Sequence, residues 1–171
     1  MRITRSIAGL TLLAMLVLGP STALARGTDA RVTGGGSFLF AGTIPMQFGF
    51  SAIVHADGSA SGSFHHAYFD GTFTYDFWGT VTCLTYDAAN GRAWVGGVLT
   101  KVTSDDPDVG LAPGDDAWFR VLDSPAGDRS TAMGFVGAIS SSQAYCDLQS
   151  WPDDNARTHP VTSGQIKVSV G

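Results

Sequence analysis

The chain contains no glutamate. All fifteen acidic residues are aspartate, and lysine occurs only at Lys101 and Lys167. Glu and Lys fill exposed helix faces, whereas Asp competes with the helix backbone and settles in turns and caps. Long solvent-facing helices are therefore not expected. Without Glu, and without a D-x-[DN]-x-[DN]-G run, the chain cannot build an EF-hand calcium loop. It has no G-x-S-x-G elbow, P-loop or dinucleotide fingerprint, so standard hydrolase and nucleotide chemistry have no support. No H-x-H pair is present to set two imidazoles on one strand face. Cysteine is limited to Cys83 and Cys146.

Positive charge is scarce as well, and part of it sits in a leader. MRITRSIAGLTLLAMLVLGPSTALARG opens with Arg2 and Arg5, runs apolar from Ile7 to Leu18, and reaches Ala23-Leu24-Ala25. Basic, apolar and small-x-small regions in that order predict a secretory signal peptide over residues 1–25. The apolar run is short for about 30 Å of hydrocarbon, and no second run of spanning length follows. No Cys follows that could carry a lipid. Residues 26–171 then form a single secreted domain, expected to be monomeric. Without Arg2 and Arg5 it carries eight basic residues against fifteen acidic ones, a net charge of −7. Nucleic acid and anionic membrane need a positive field and are poor partners for it.

With 22 Gly and an aromatic-rich apolar set, what is left reads as strands joined by tight turns. TFTYDFWGTVTCLTYD, residues 72–87, alternates with Phe73, Tyr75, Phe77, Val81 and Cys83 on one face. Met46, Phe48, Phe50, Ala52 and Val54 do the same in MQFGFSAIVHA, and Ala117, Phe119 and Val121 in AWFRVLD. Ala56-Asp57-Gly58-Ser59, Asp70-Gly71 and Asn90-Gly91 are hairpin signals. Gly96-Gly97 marks an expected bulge. A long acidic loop covers 103–116, TAMGFVGAI is a further strand, 140–163 is irregular with room for a short helical turn, and GQIKVSVG closes the chain. The expected fold is all-β: an antiparallel meander of about eight strands, with an up-and-down β-barrel favoured over a β-sandwich because consecutive hairpins can close on themselves.

The succession GGGSF, HADGSASGSF, GTVTCL, NGRAWVGG, FRVLDSPAGD and GQIKVSVG resembles a broad family of uncharacterised secreted bacterial β domains, in which a V-T-C-L strand precedes an A-x-x-G-G strand and an F-x-V-x-D strand. The resemblance implies an exported bacterial β domain, sometimes part of a larger surface protein. It implies no activity and no catalytic residue.

The residues that could carry chemistry are few. In an exported chain an even cysteine count predicts a disulfide, here Cys83–Cys146, with Cys83 expected on the inner face; the rival is a Cys nucleophile, which needs an electropositive site. His65 and His66 are adjacent on a strand and must point to opposite faces, so one belongs to the lumen and one to the surface. Paired Asp residues in the loops invite calcium or glycoside hydrolysis, but no pair is distinguished, and turn chemistry accounts for them; no metal and no cofactor is expected. Trp78, Trp94 and Trp118 each fall out of phase with the inward row, which places them on the outer face, either as an exposed aromatic row or packed under the long loops as a second layer of core, while Trp151 sits in the irregular stretch. The function expected from all this is a binding or structural module at or outside the cell envelope. Its partner would be a small apolar ligand inside the barrel or a surface polymer on Trp78, Trp94 and Trp118. The alternative is an enzyme, a polysaccharide hydrolase or cyclase-like barrel, using Asp residues with His66 or Tyr68 in a pocket.

Overall fold

The computed structural model describes residues 29–135 and 139–170; the expected signal segment lies outside them. Eight strands follow in order: β1 (Ala30–Phe40), β2 (Ile44–Val54), β3 (Ala60–Phe69), β4 (Thr74–Asp87), β5 (Arg92–Ser104), β6 (Asp116–Leu122), β7 (Arg129–Ser130) and β8 (His159–Val170). One helix, α1 (Ser142–Leu148), lies between β7 and β8. Every strand pairs antiparallel with the next, and β1 pairs with β8, so the sheet closes into an up-and-down barrel with no free edge. Among the described residues no helix is long and apolar enough to cross a membrane.

The three turn signals fall where the strands reverse. At the third, Gly91 takes a left-handed conformation, φ 63°, and a side chain there would also run into the Asp123 carbonyl. The inward rows fill the lumen: Phe38, Phe48, Phe50, Phe64, Phe77, Phe119 and Ile166 are all buried. Phe119 sits among three of its neighbours, with ring centroids 5.2 Å from Phe50, 5.8 Å from Phe64 and 5.0 Å from His66. Eight strands leave an interior that side chains just fill, or that holds one small ligand.

Two register shifts alter the simple alternation. Trp78 faces Lys101 and Gly79 faces Leu99, which leaves Thr100 as an extra residue in β5. Val81 faces Gly97 and Cys83 faces Gly96, which leaves Thr82 extra in β4. The bulge expected at Gly96-Gly97 is thus real, but its additional residue is across the ladder. Its effect on phase is large: Leu84, opposite Val95, joins the inner core, and Cys83 is displaced to the outer face.

The strand expected over residues 131–139 is not formed over the described part. β7 is only Arg129–Ser130, followed by an isolated bridge between Trp118 and Gly134; residues 136–138 lie outside the described residues. Carboxylates stand in for the missing ladder. Asp128 accepts from the Ile166 N–H at 2.7 Å and the Ser124 N–H at 3.1 Å, and Asp123 accepts from the Val168 N–H at 3.0 Å. Buried backbone donors must be satisfied somewhere, and here side chains close the seam between β6 and β8. Asp128→Ala should therefore cost about 1–3 kcal/mol in urea-induced unfolding; an unchanged midpoint would mean that water serves those donors equally well.

Candidate functional site

At the end of the barrel that carries the β1–β2, β3–β4 and β5–β6 connections, the lumen is not filled. A cavity of about 310 Å³ lies there, walled by Ile44, Met46, Phe77 and Phe135 and by the polar side chains of His66, Tyr68 and Asp70. β3 supplies His66 and Tyr68 by its inward phase, and the following turn supplies Asp70.

His66 is the unusual member. It is fully buried, and neither ring nitrogen has a hydrogen-bond partner. Burial, with a smaller contribution from His65, lowers its pKa to about 3, so the ring is neutral at ordinary pH. It is the lumen histidine of the expected pair. His65 points outward, bonds Asp76 at 2.8 Å and stacks on Trp78 with centroids 4.0 Å apart.

Tyr68 stacks on Tyr75, centroids 4.5 Å apart, and burial followed by the charges of Asp70 and Asp106 raises its pKa. Asp70 is committed to its own turn. It accepts from the backbone N–H groups of Thr72 and Phe73, which hold its carboxyl below the usual range, and from the Tyr75 hydroxyl at 3.3 Å. Tyr75 also donates to Asp106 at 2.7 Å, which ties the acidic loop to the rim. Asp106 and Asp115 also act as turn acceptors, taking the Asp108 and Ala112 N–H groups, while Asp105 takes the Thr74 N–H and ties the loop to the start of β4. So His66, Tyr68 and Asp70 converge on one concavity, but no hydrogen bond joins them.

Outside the barrel, α1 lies on β4, β5 and β6. Ser141 caps it by accepting the Ala144 N–H, and Asp116 accepts the Ser142 N–H at 2.8 Å. Cys146 on α1 is bonded to Cys83 on β4. The disulfide is the expected one, but Cys83 reaches it from the outer face, which corrects the inward placement; it is 4 % exposed because α1 covers it. Gly96 permits this approach, since a Cβ there would lie 2.6 Å from the Cys83 sulfur and 2.9 Å from Ser142.

The same layer decides between the two readings of the tryptophan row, for the second layer of core at two of its three positions. Trp94 and Trp118 do leave the barrel outward, but they are 3 % and 8 % exposed. They form a second apolar cluster with Tyr145, against which Ile139 and Trp151 pack, and Trp94 donates to the Ser150 carbonyl. Only Trp78, 43 % exposed, remains a surface aromatic, with Phe69 exposed nearby. Sequence reasoning missed Arg120, which is also on this outer face and is 6 % exposed; its out-of-phase position in AWFRVLD was the available signal.

Comparison with known proteins does not extend this picture: no family model, curated protein or solved structure matches the chain.

Proposed function

We propose that this barrel is an exported binding module that takes a small, neutral, largely apolar molecule with one hydrogen-bonding group into the cavity at the end of its lumen. The observation that carries the reading is His66, fully buried in the cavity wall with both ring nitrogens unpartnered. A buried polar group without a partner costs free energy, and a ligand hydroxyl or amide would recover it by drawing the ring towards the cavity, neither nitrogen being accessible in the structure. The cavity volume is at the small end of the range that ligand sites occupy. Export is supported by the leader pattern and agrees with a disulfide. A polymer-binding outer face has less support, since only Trp78 of the three tryptophans is exposed.

The test is a matched pair of bicyclic aromatics. 1-Naphthol should bind about tenfold tighter than naphthalene, and His66→Phe should abolish the difference while naphthalene still binds. Failure of both compounds to bind would refute the proposal. The convergence of His66, Tyr68 and Asp70 favours a second reading, an enzyme at the same cavity. Asp70 already spends one carboxylate oxygen on the Thr72 and Phe73 N–H groups, and its other oxygen shares the Tyr75 hydroxyl with Asp106, so binding is preferred. Chemical conversion of a bound compound would reverse that order.

A further inference from the structure

A second concavity lies outside the barrel, between α1, β6 and the segment before β8, with a volume of about 600 Å³. Its apolar walls include Trp118, Tyr145 and Leu148, and its polar wall carries Arg120 and Arg157 with His159. Phe40, Ala132 and Met133 line both this cleft and the lumen cavity.

Arg120 is the anomaly. Its guanidinium is buried, donates to the backbone carbonyls of Ser150 and Ala156 and lies beside the Tyr145 hydroxyl, and among the described residues its Nε has no partner. Its Cζ lies 5.3 Å from the centre of the Trp151 ring, and Arg92 stands 5.2 Å from the same ring. Among the described residues the only ion pairs join His55 to Asp29 and His65 to Asp76, so neither Arg120 nor Arg157 has a carboxylate within 4.0 Å. A buried cation without a counter-charge is costly. Cationic side chains also gather here in a chain whose formal net charge is −5. The charge of Arg129, after burial, further lowers the pKa of His159. Bidentate recognition of a planar carboxylate is what a guanidinium does best.

We propose that this cleft binds a small organic acid, with its carboxylate on Arg120 and Arg157 and its apolar body against Trp118, Tyr145 and Leu148. The cleft lies outside the barrel and the lumen cavity inside it, with Phe40, Ala132 and Met133 as a wall common to both, and the acid's contacts on Arg120 and Arg157 belong to the cleft alone.

Calorimetric titration with 2-naphthoate and its neutral counterpart 2-naphthamide tests it. At low salt the acid should bind about tenfold tighter than the amide, and added salt should reduce the preference. Arg120→Met should remove the preference. Because a buried substitution can disturb folding, Arg157→Met gives an independent measurement: Arg157 is exposed and has no side-chain hydrogen bond among the described residues, so its loss should weaken acid binding several-fold while the amide is unaffected. A saturating amount of 1-naphthol, the probe for the lumen, should not displace the acid. Equal affinities for acid and amide, a preference that survives Arg157→Met, displacement by 1-naphthol, or no binding of the acid at millimolar concentration would each overturn the assignment.

Discussion

Serine at Cys83 is expected to lower the stability of the protein by about 4 kcal/mol, and serine at Cys146 by the same amount. The bonded residues are 63 apart in sequence, and closing so long a loop removes much of the unfolded chain's freedom. The chain-entropy model gives that figure for unstrained bonds, and removing native disulfides costs about 2–5 kcal/mol. Both substitutions break one bond, so the double variant should lose no more than either single one. The loss should also be uneven in space. The barrel keeps its ladders, whereas α1 loses its tether and uncovers Trp94, Trp118 and Tyr145. Urea titration followed by tryptophan fluorescence can register both effects. Additive losses in the double variant, or single variants that differ widely, would mean that each cysteine contributes something besides the bond.

Acid should weaken the fold well before its carboxylates are protonated, and His66 is the reason. Its folded pKa of about 3 lies far below the ordinary value of 6.5. As pH falls below 6.5 the unfolded chain takes up a proton that the folded protein refuses. Stability is therefore fully present above that pH and declines progressively towards about pH 3. The linkage amounts to something on the order of 4 kcal/mol by about pH 3.5. Asp57, Asp70 and Asp87 have pKa values lowered by the hydrogen bonds they accept, so their contributions fade only under more acidic conditions, in wild type and variant alike. Unfolding midpoints of wild type and His66→Phe, measured between pH 7 and pH 4, isolate the histidine: the wild type should fall more steeply than the variant, in which His159, whose pKa is also lowered, still contributes a decline of its own. Parallel curves would show that the ring is charged in the folded protein.

The barrel was legible because one face of each strand is dry and the turns carry marked residues. Alternation identified Ala117, Phe119 and Val121 as inward, and all three are fully buried. Alternation fails where a residue is added without any local sign. Thr82 sits in a run of threonines and valines, and nothing there announces that the phase reverses before Cys83. A two-fold pattern also separates inner from outer but is silent about what lies on the outer side. The burial of Trp94, Trp118 and Arg120 depends on α1, whose position is fixed by a disulfide rather than by any periodicity. The lumen cavity was foreseeable only as a possibility. Its volume depends on how the aromatic rings share the interior, although His66 was already in phase with Phe64 and Tyr68. Over the described part of 131–139 the expected strand is not formed, and carboxylates from Asp123 and Asp128 satisfy donors of β8 in its place.

The pairing of β1 with β8 has a kinetic consequence. Arg31 and Ser169, which face each other across that ladder, are 138 residues apart, and the Ser169 hydroxyl donates to the Arg31 carbonyl. Until β8 arrives, β1 presents an open row of donors and acceptors, and the carboxylates of Asp123 and Asp128 have no strand to receive. Local hairpins from β1 to β5 can form early, but closure must wait for the last strand, and contacts so distant in sequence slow folding. A chain synthesised from its N-terminus therefore carries an adhesive edge until residues 159–170 have been made. Delivery in an unfolded, chaperoned state suits such a topology, because the edge then first becomes available when its partner is already present.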